Sequence, residues 1–82
     1  MYVGAMGFVI NEAKRDKHFR ERLLGGRVGR KEIEELNPDL IFGSGDAEKI
    51  RVTAKEAPNF EEFKETMTEY IEQKYNPEGQ NT

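Results

Sequence analysis

Three acidic residues near the middle of the chain are the first candidates for a binding site. Asp39 precedes a short apolar run, and Asp46 and Glu48 follow the bend at 43–45. If this bend joins two strands as a hairpin, the three carboxylates lie close together. Carboxylate and carbonyl oxygens are the ligands that Ca²⁺ takes in proteins. The sequence therefore predicts a weak Ca²⁺ site, or a site for a basic partner, at Asp39, Asp46 and Glu48; an ordinary polar turn is the open alternative.

A basic, glycine-rich segment offers a second candidate, for another class of ligand. Residues 26–29 read Gly-Arg-Val-Gly, and Arg30 and Lys31 follow them between two predicted helices. This segment resembles the G-x-x-G loop of KH domains, which holds four nucleotides of a single strand by their backbone. The predicted order of elements over about residues 19–75 is similar to that of KH domains as well. The resemblance implies single-stranded nucleic-acid binding by Gly26, Arg27, Gly29, Arg30 and Lys31, whereas a helix stop followed by a linker is the other interpretation.

The residues that catalysis most often uses are scarce. The chain has no cysteine, a single histidine at His18 and a single serine at Ser44. His18 lies among basic residues, which disfavour the imidazolium that a general base must become. The composition therefore predicts that the protein is not an enzyme.

Length and composition limit the architecture to one small domain. The chain has 82 residues, of which 35% are charged and 35% hydrophobic, with a net charge of −3. Compact domains mostly need about 100 residues, so two domains are excluded. We expect a single domain over 1–76 and a disordered tail over 77–82, since the tail contains no aliphatic or aromatic residue.

Charge is unevenly distributed along the chain. Residues 1–31 contain eight basic and three acidic residues, a net of +5, whereas residues 32–82 have a net of −8. Such asymmetry is typical either of two halves that attract each other or of a half that binds a charged ligand.

No segment has the length or composition of a membrane span or an export signal. The longest uncharged run covers residues 1–11, and a membrane helix needs about 20 apolar residues. The basic residues follow this run, whereas a signal peptide places them before it. We therefore expect a cytoplasmic protein without a membrane partner, and the sequence leaves its oligomeric state open.

The hydrophobic patterns predict an α+β fold in the order β-α-α-β-β-α, with a small sheet of about three strands and two to three helices packed on it. Residues 2–10 are apolar on both faces and favour a covered strand, and Ile50, Val52 and Ala54 alternate as in a half-buried strand. An apolar stripe after Asn59 predicts a long helix. The predicted strands are 2–10, 40–42 and 49–54; the predicted helices are 12–24, 31–36 and 59–75; and the stripe of the last helix is Phe60, Phe63, Met67, Tyr70 and Ile71.

Overall fold

A computed structural model describes residues 4–75, and every regular element in that range is a helix. The elements are α1 (Ala5–Arg15), α2 (Lys17–Leu24), α3 (Arg30–Glu35), α4 (Asp46–Glu56) and α5 (Phe60–Tyr75). The predicted sheet does not occur in these residues, so the α+β assignment is wrong for the described part of the chain. That part has an all-helical fold.

The predicted strand over 2–10 is replaced, from Ala5 onward, by helix α1. The buried residues of α1 that follow Gly7 are Val9, Ile10 and Ala13, which continue the helical spacing set by Ala5 and Met6. A short apolar run does not by itself distinguish a strand from a buried helix. The burial of Ala13, beyond the apolar run, is what reveals the helical period.

The predicted strand over 49–54 lies inside helix α4. Ala47, Ile50 and Ala54 are buried and recur at spacings of three and four residues, as a helix face requires. Acidic residues occupy the first turn and Lys55 the last turn, where the helix dipole favours each charge. The alternation of Ile50, Val52 and Ala54 is therefore a coincidence, because it covers too few residues to distinguish a strand from a helix.

The predicted strand over 40–42 has no regular structure and belongs to the irregular segment 37–45 that connects α3 to α4. The single helix predicted over 12–24 is wrong at its start, because residues 12–15 belong to α1 and a separate helix, α2, begins at Lys17. The chain breaks between α1 and α2 at Asp16, whose side chain caps α2 by accepting a hydrogen bond from the Phe19 N–H. Helix α2 ends before Gly25, and Gly26 adopts a positive φ of 75° that closes the last turn.

The long helix predicted after Asn59 is confirmed as α5. The Asn59 side chain caps the helix by accepting a hydrogen bond from the Glu62 N–H at 2.9 Å. Phe63 and Met67 are fully buried, while Phe60, Tyr70 and Ile71 are half-buried against the core. Helix α4 occupies the centre of the fold, because it packs against each of the other four helices.

None of these helices is long and apolar enough to cross a membrane. The predicted domain boundary at residue 76 and the predicted tail over 77–82 lie outside the described residues.

Candidate functional site

The carboxylate of Asp46 lies in the interior of the protein, where it joins two helices. Its residue is 1% exposed at the first position of α4. Oδ1 accepts hydrogen bonds from the Tyr70 hydroxyl at 2.8 Å and from Lys74 Nζ at 2.7 Å. Oδ2 accepts a hydrogen bond from the Tyr75 hydroxyl. We call Asp46, Tyr70, Lys74 and Tyr75 the Asp46 network, and it fixes the end of α5 to the beginning of α4.

The Asp46 network holds its carboxylate in the charged form. Burial raises the pKa of Asp46, but hydrogen bonds from Lys74, Tyr75 and Tyr70 outweigh burial and lower the pKa below its ordinary value. The hydrogen bond to Asp46 raises the pKa of Lys74 in turn. The hydrogen bond to Asp46 and partial burial raise the pKa of Tyr75. At neutral pH the network therefore contains one carboxylate, one ammonium and two neutral phenols.

The three acidic residues of the predicted cation site have different surroundings. Glu48 forms an ion pair with Arg51 at 2.5 Å, and the hydrogen bond from Arg51 lowers the pKa of Glu48. Asp39 is exposed, and its N–H donates to the side chain of Asn37 at 3.0 Å. Within residues 4–75 there is no group of three or more acidic or histidine side chains that could hold a metal ion. Asp46 is not part of an open polar turn, because it is 1% exposed and is hydrogen-bonded to Lys74 and the two phenols.

The residues of the second predicted site lie around the turn between α2 and α3. Gly26, Arg27, Gly29, Arg30 and Lys31 are all exposed, whereas Val28 between them is buried and anchors the turn to the core. Arg30 lies near enough to Glu48 to help lower the pKa of that carboxyl. The KH-like order of elements is wrong for this chain, because the two strands it needs over 40–42 and 49–54 do not form. The basic turn itself remains as a charged surface.

A groove runs beside this basic turn. His18, Arg22 and Arg27 line it together with Glu21 and Gly25. Arg22 is paired with Glu32 at 2.5 Å. The single histidine and the single serine, Ser44, are both exposed.

The most enclosed cavity described for this fold lies where α1 begins and α5 ends. It has a volume of about 190 Å³, and we call it the terminal pocket. The two exposed large hydrophobic residues of the described chain, Ile41 at 91% and Tyr75 at 54%, both line it. Its lining residues are Gly4, Ala5, Met6, Gly7, Ile41, Gly43, Asp46, Ile71 and Tyr75. The terminal pocket is thus a recess of mixed polar and apolar lining, with one buried carboxylate in its wall.

Gly43 lies where the Asp46 network borders the terminal pocket, and its lack of a side chain leaves room for the Tyr75 hydroxyl beside Asp46. A Cβ atom at this position would collide with the Tyr75 hydroxyl and would lie 2.8 Å from Asp46 Oδ2. Any larger residue at position 43 must therefore shift the Tyr75 hydroxyl, the Asp46 carboxylate or both.

Sequence reasoning missed this site because its parts are far apart in the chain. It assigned Tyr70 and Ile71 to the core stripe of the last helix and gave no role to Tyr75. The available signal was the spacing of Tyr70 and Lys74, which places them on one face of α5. Nothing in the sequence pairs that face with Asp46, which lies 28 residues before Lys74.

Comparisons with models of protein families, with curated proteins and with solved structures found no match to this chain.

Proposed function

We propose that this protein is a non-enzymatic binding module that takes an apolar side chain of a protein partner into the terminal pocket. The observation that supports this function is the exposure of Ile41, which is 91% accessible to solvent and lies at the edge of a pocket that Met6 and Ile71 also line. Recesses lined by apolar side chains and a few polar groups are where ligands and partner side chains bind in proteins.

The volume of the pocket suits one side chain of moderate size. An apolar cavity of about 150 Å³ is large enough to bind benzene in a well-studied engineered protein. The terminal pocket, at about 190 Å³, has room for one aromatic ring. A single inserted residue buries little area, so we expect binding that is weak and reversible.

The acidic charge of the chain after residue 31 favours a basic partner. Residues 32–75 contain twelve acidic and five basic residues. Asp39 and Glu72 are both exposed and lie close in sequence to the lining residues Ile41 and Ile71. Since Lys74 already neutralises Asp46, these exposed carboxylates supply the attraction. The partner segment is therefore an apolar residue with lysine or arginine on both sides.

A titration with short peptides tests this function. The acetylated and amidated peptide KKFKK is added to ¹⁵N-labelled protein, with EEFEE and KKAKK as controls for charge and for the aromatic ring. We expect amide shifts at Ile41, Gly43 and Ile71 with KKFKK, and smaller shifts with either control. Equal shifts with all three peptides, or shifts elsewhere on the surface only, contradict the proposal.

A pair of variants adds a control within the same segment of chain. Ile41→Ser removes the exposed apolar side chain from the pocket and should weaken KKFKK binding. Pro38→Ser changes another exposed residue of the segment that does not line the pocket, and should leave the affinity unchanged. Ile41 is so exposed that its replacement should not unfold the protein.

The basic turn supports a second candidate function, binding of a single-stranded nucleic acid. Arg27 and Lys31 are exposed, and among the described residues neither has a carboxylate within ion-pair distance. If they hold phosphates, affinity for a mixed single-stranded oligonucleotide must fall steeply with salt as counterions are released. Fluorescence anisotropy at low salt measures this, with Arg27→Gln and Lys31→Gln as variants. The absence of binding at tens of micromolar protein contradicts this second function.

A further inference from the structure

Tyr75 is half-exposed, but its hydroxyl donates a hydrogen bond to the buried carboxylate of Asp46. Its ring lines the terminal pocket, and its hydroxyl donates to Asp46 Oδ2. With 54% of the residue exposed, little packing holds the ring in place. The hydrogen bond to Asp46 and the Lys74 ammonium, 5.4 Å from the centre of the ring, are the polar contacts that hold Tyr75 at the pocket.

The two oxygens of Asp46 differ in how many donors they have. Oδ1 accepts from both Tyr70 and Lys74, so it stays satisfied if Tyr75 moves away. Within residues 4–75, Tyr75 provides the one side-chain hydrogen bond to Oδ2. A buried carboxylate oxygen without a donor is costly, so Tyr75 leaves more readily when another donor replaces it than when none does.

The charge of the network determines which donor fits. Lys74 already balances the single negative charge of Asp46. A second cation at Oδ2 would lie close to the Lys74 ammonium and be repelled by it, whereas a neutral hydroxyl would not. The position is also shaped for a phenol, because one occupies it now.

From this geometry we infer that the residue inserted into the terminal pocket is a tyrosine of the partner, whose hydroxyl replaces that of Tyr75 on Asp46 Oδ2. This inference rests on the proposed function and identifies its partner residue. Tyr75 then acts as an internal competitor that occupies the carboxylate until the partner binds. In the exchange one hydrogen bond from a neutral phenol to the Asp46 carboxylate breaks, and an equivalent one forms with the tyrosine of the partner.

Two peptides that differ by one hydroxyl test the inference. In the wild-type protein KKYKK should bind about tenfold more tightly than KKFKK, because the phenylalanine peptide leaves Oδ2 without a donor when it displaces Tyr75. Tyr75→Phe removes the internal competitor while keeping the ring, so both peptides should then bind about tenfold more tightly than to the wild type. Asp46→Asn should reduce the preference for KKYKK, because it removes the charged acceptor.

The outcomes separate the inference from the proposed function. If KKYKK and KKFKK bind equally well and Tyr75→Phe changes neither affinity, the inference is wrong and the proposed function stands. If neither peptide binds to either protein, both are wrong. A Tyr75→Phe protein with an unchanged melting temperature establishes that altered affinity does not come from unfolding.

Discussion

The ammonium of Lys74 lies 2.7 Å from Oδ1 of Asp46, and this pair joins the last turn of α5 to the first residue of α4. The carboxylate is buried, whereas the lysine side chain keeps 33% of its surface exposed. The lysine thus reaches inward from the surface and compensates a charge that would otherwise be expensive to bury. The same contact brings Tyr75 over the terminal pocket.

Replacing the buried carboxylate should destabilise the fold. Asp46→Ala leaves the phenols of Tyr70 and Tyr75 without their acceptor, and it should lower the free energy of unfolding by about 2–3 kcal/mol. Asp46→Asn retains one acceptor oxygen and should cost less. Urea denaturation measures both variants. An alanine variant as stable as the wild type contradicts the role assigned to the Asp46 network.

The stability contributed by Asp46 should depend on pH in the acid range. The folded pKa of Asp46 is lower than its unfolded value. Ionisation of Asp46 therefore stabilises the fold fully above the unfolded pKa of about 4, and this contribution is lost as the pH falls through the lower folded pKa. The difference in unfolding free energy between wild type and Asp46→Asn should be the same at pH 7 and pH 5.5 and smaller at pH 2.5. A difference that grows on acidification gives the opposite sign and contradicts this pKa assignment.

Millimolar Ca²⁺ should leave the amide resonances of residues 39–48 unchanged. Lys74 holds Asp46 and Arg51 holds Glu48, so a cation must break both ion pairs to use these carboxylates. A Ca²⁺ titration followed by NMR measures this, and the exposed Glu61, Glu65 and Glu69 serve as the reference for nonspecific effects. Saturable shifts confined to Asp39, Asp46 and Glu48 would show that the cation site forms after all.

Phe63 should be the most sensitive residue of α5. Its side chain is fully buried, whereas that of Phe60 on the same helix is only half-buried. Phe63→Ala should cost about 3–5 kcal/mol, the range for a buried phenylalanine, and Phe60→Ala should cost less. Thermal melting of the two variants compares them. Equal shifts of the melting temperature would contradict the packing described for α5.

The helices that the sequence predicted correctly have long patterns or clear end signals. The α5 stripe from Phe60 to Ile71 continues over three turns, and Asn59 marks its start. Helix α2 ends at a pair of glycines. Over such lengths the helical period is distinct from the alternation of a strand.

The two helices that were mistaken for strands have short or ambiguous patterns. Residues 5–10 are apolar almost throughout, so they fit both the two-residue period of a strand and the 3.6-residue period of a helix. The helical period becomes visible only with the buried Ala13. In α4, the residues that reveal the helical face are Ala47 and Thr53, which are small or polar and carry little weight in a hydrophobic pattern.

The site could be predicted only in part. The sequence placed Asp46 in a turn with two other carboxylates, whereas the structure shows it as a buried carboxylate paired with Lys74. Its partners on α5 are separated from it by at least 24 residues, and no local pattern encodes that contact. The sequence did not indicate Ile41 and Tyr75, because the exposure of an apolar side chain depends on how the rest of the chain packs around it.

The most direct measurement of the proposed function is an isotope-filtered NOE experiment with labelled protein and unlabelled KKFKK. If the terminal pocket takes the aromatic side chain, its ring protons should show NOEs to the methyl groups of Ile41, Ile71 and Met6, which line that pocket. The methyl groups of Val52, a half-buried residue of α4 outside the pocket lining, should show none. Ring NOEs to Val52, or to any methyl groups other than those of the pocket, would contradict the account.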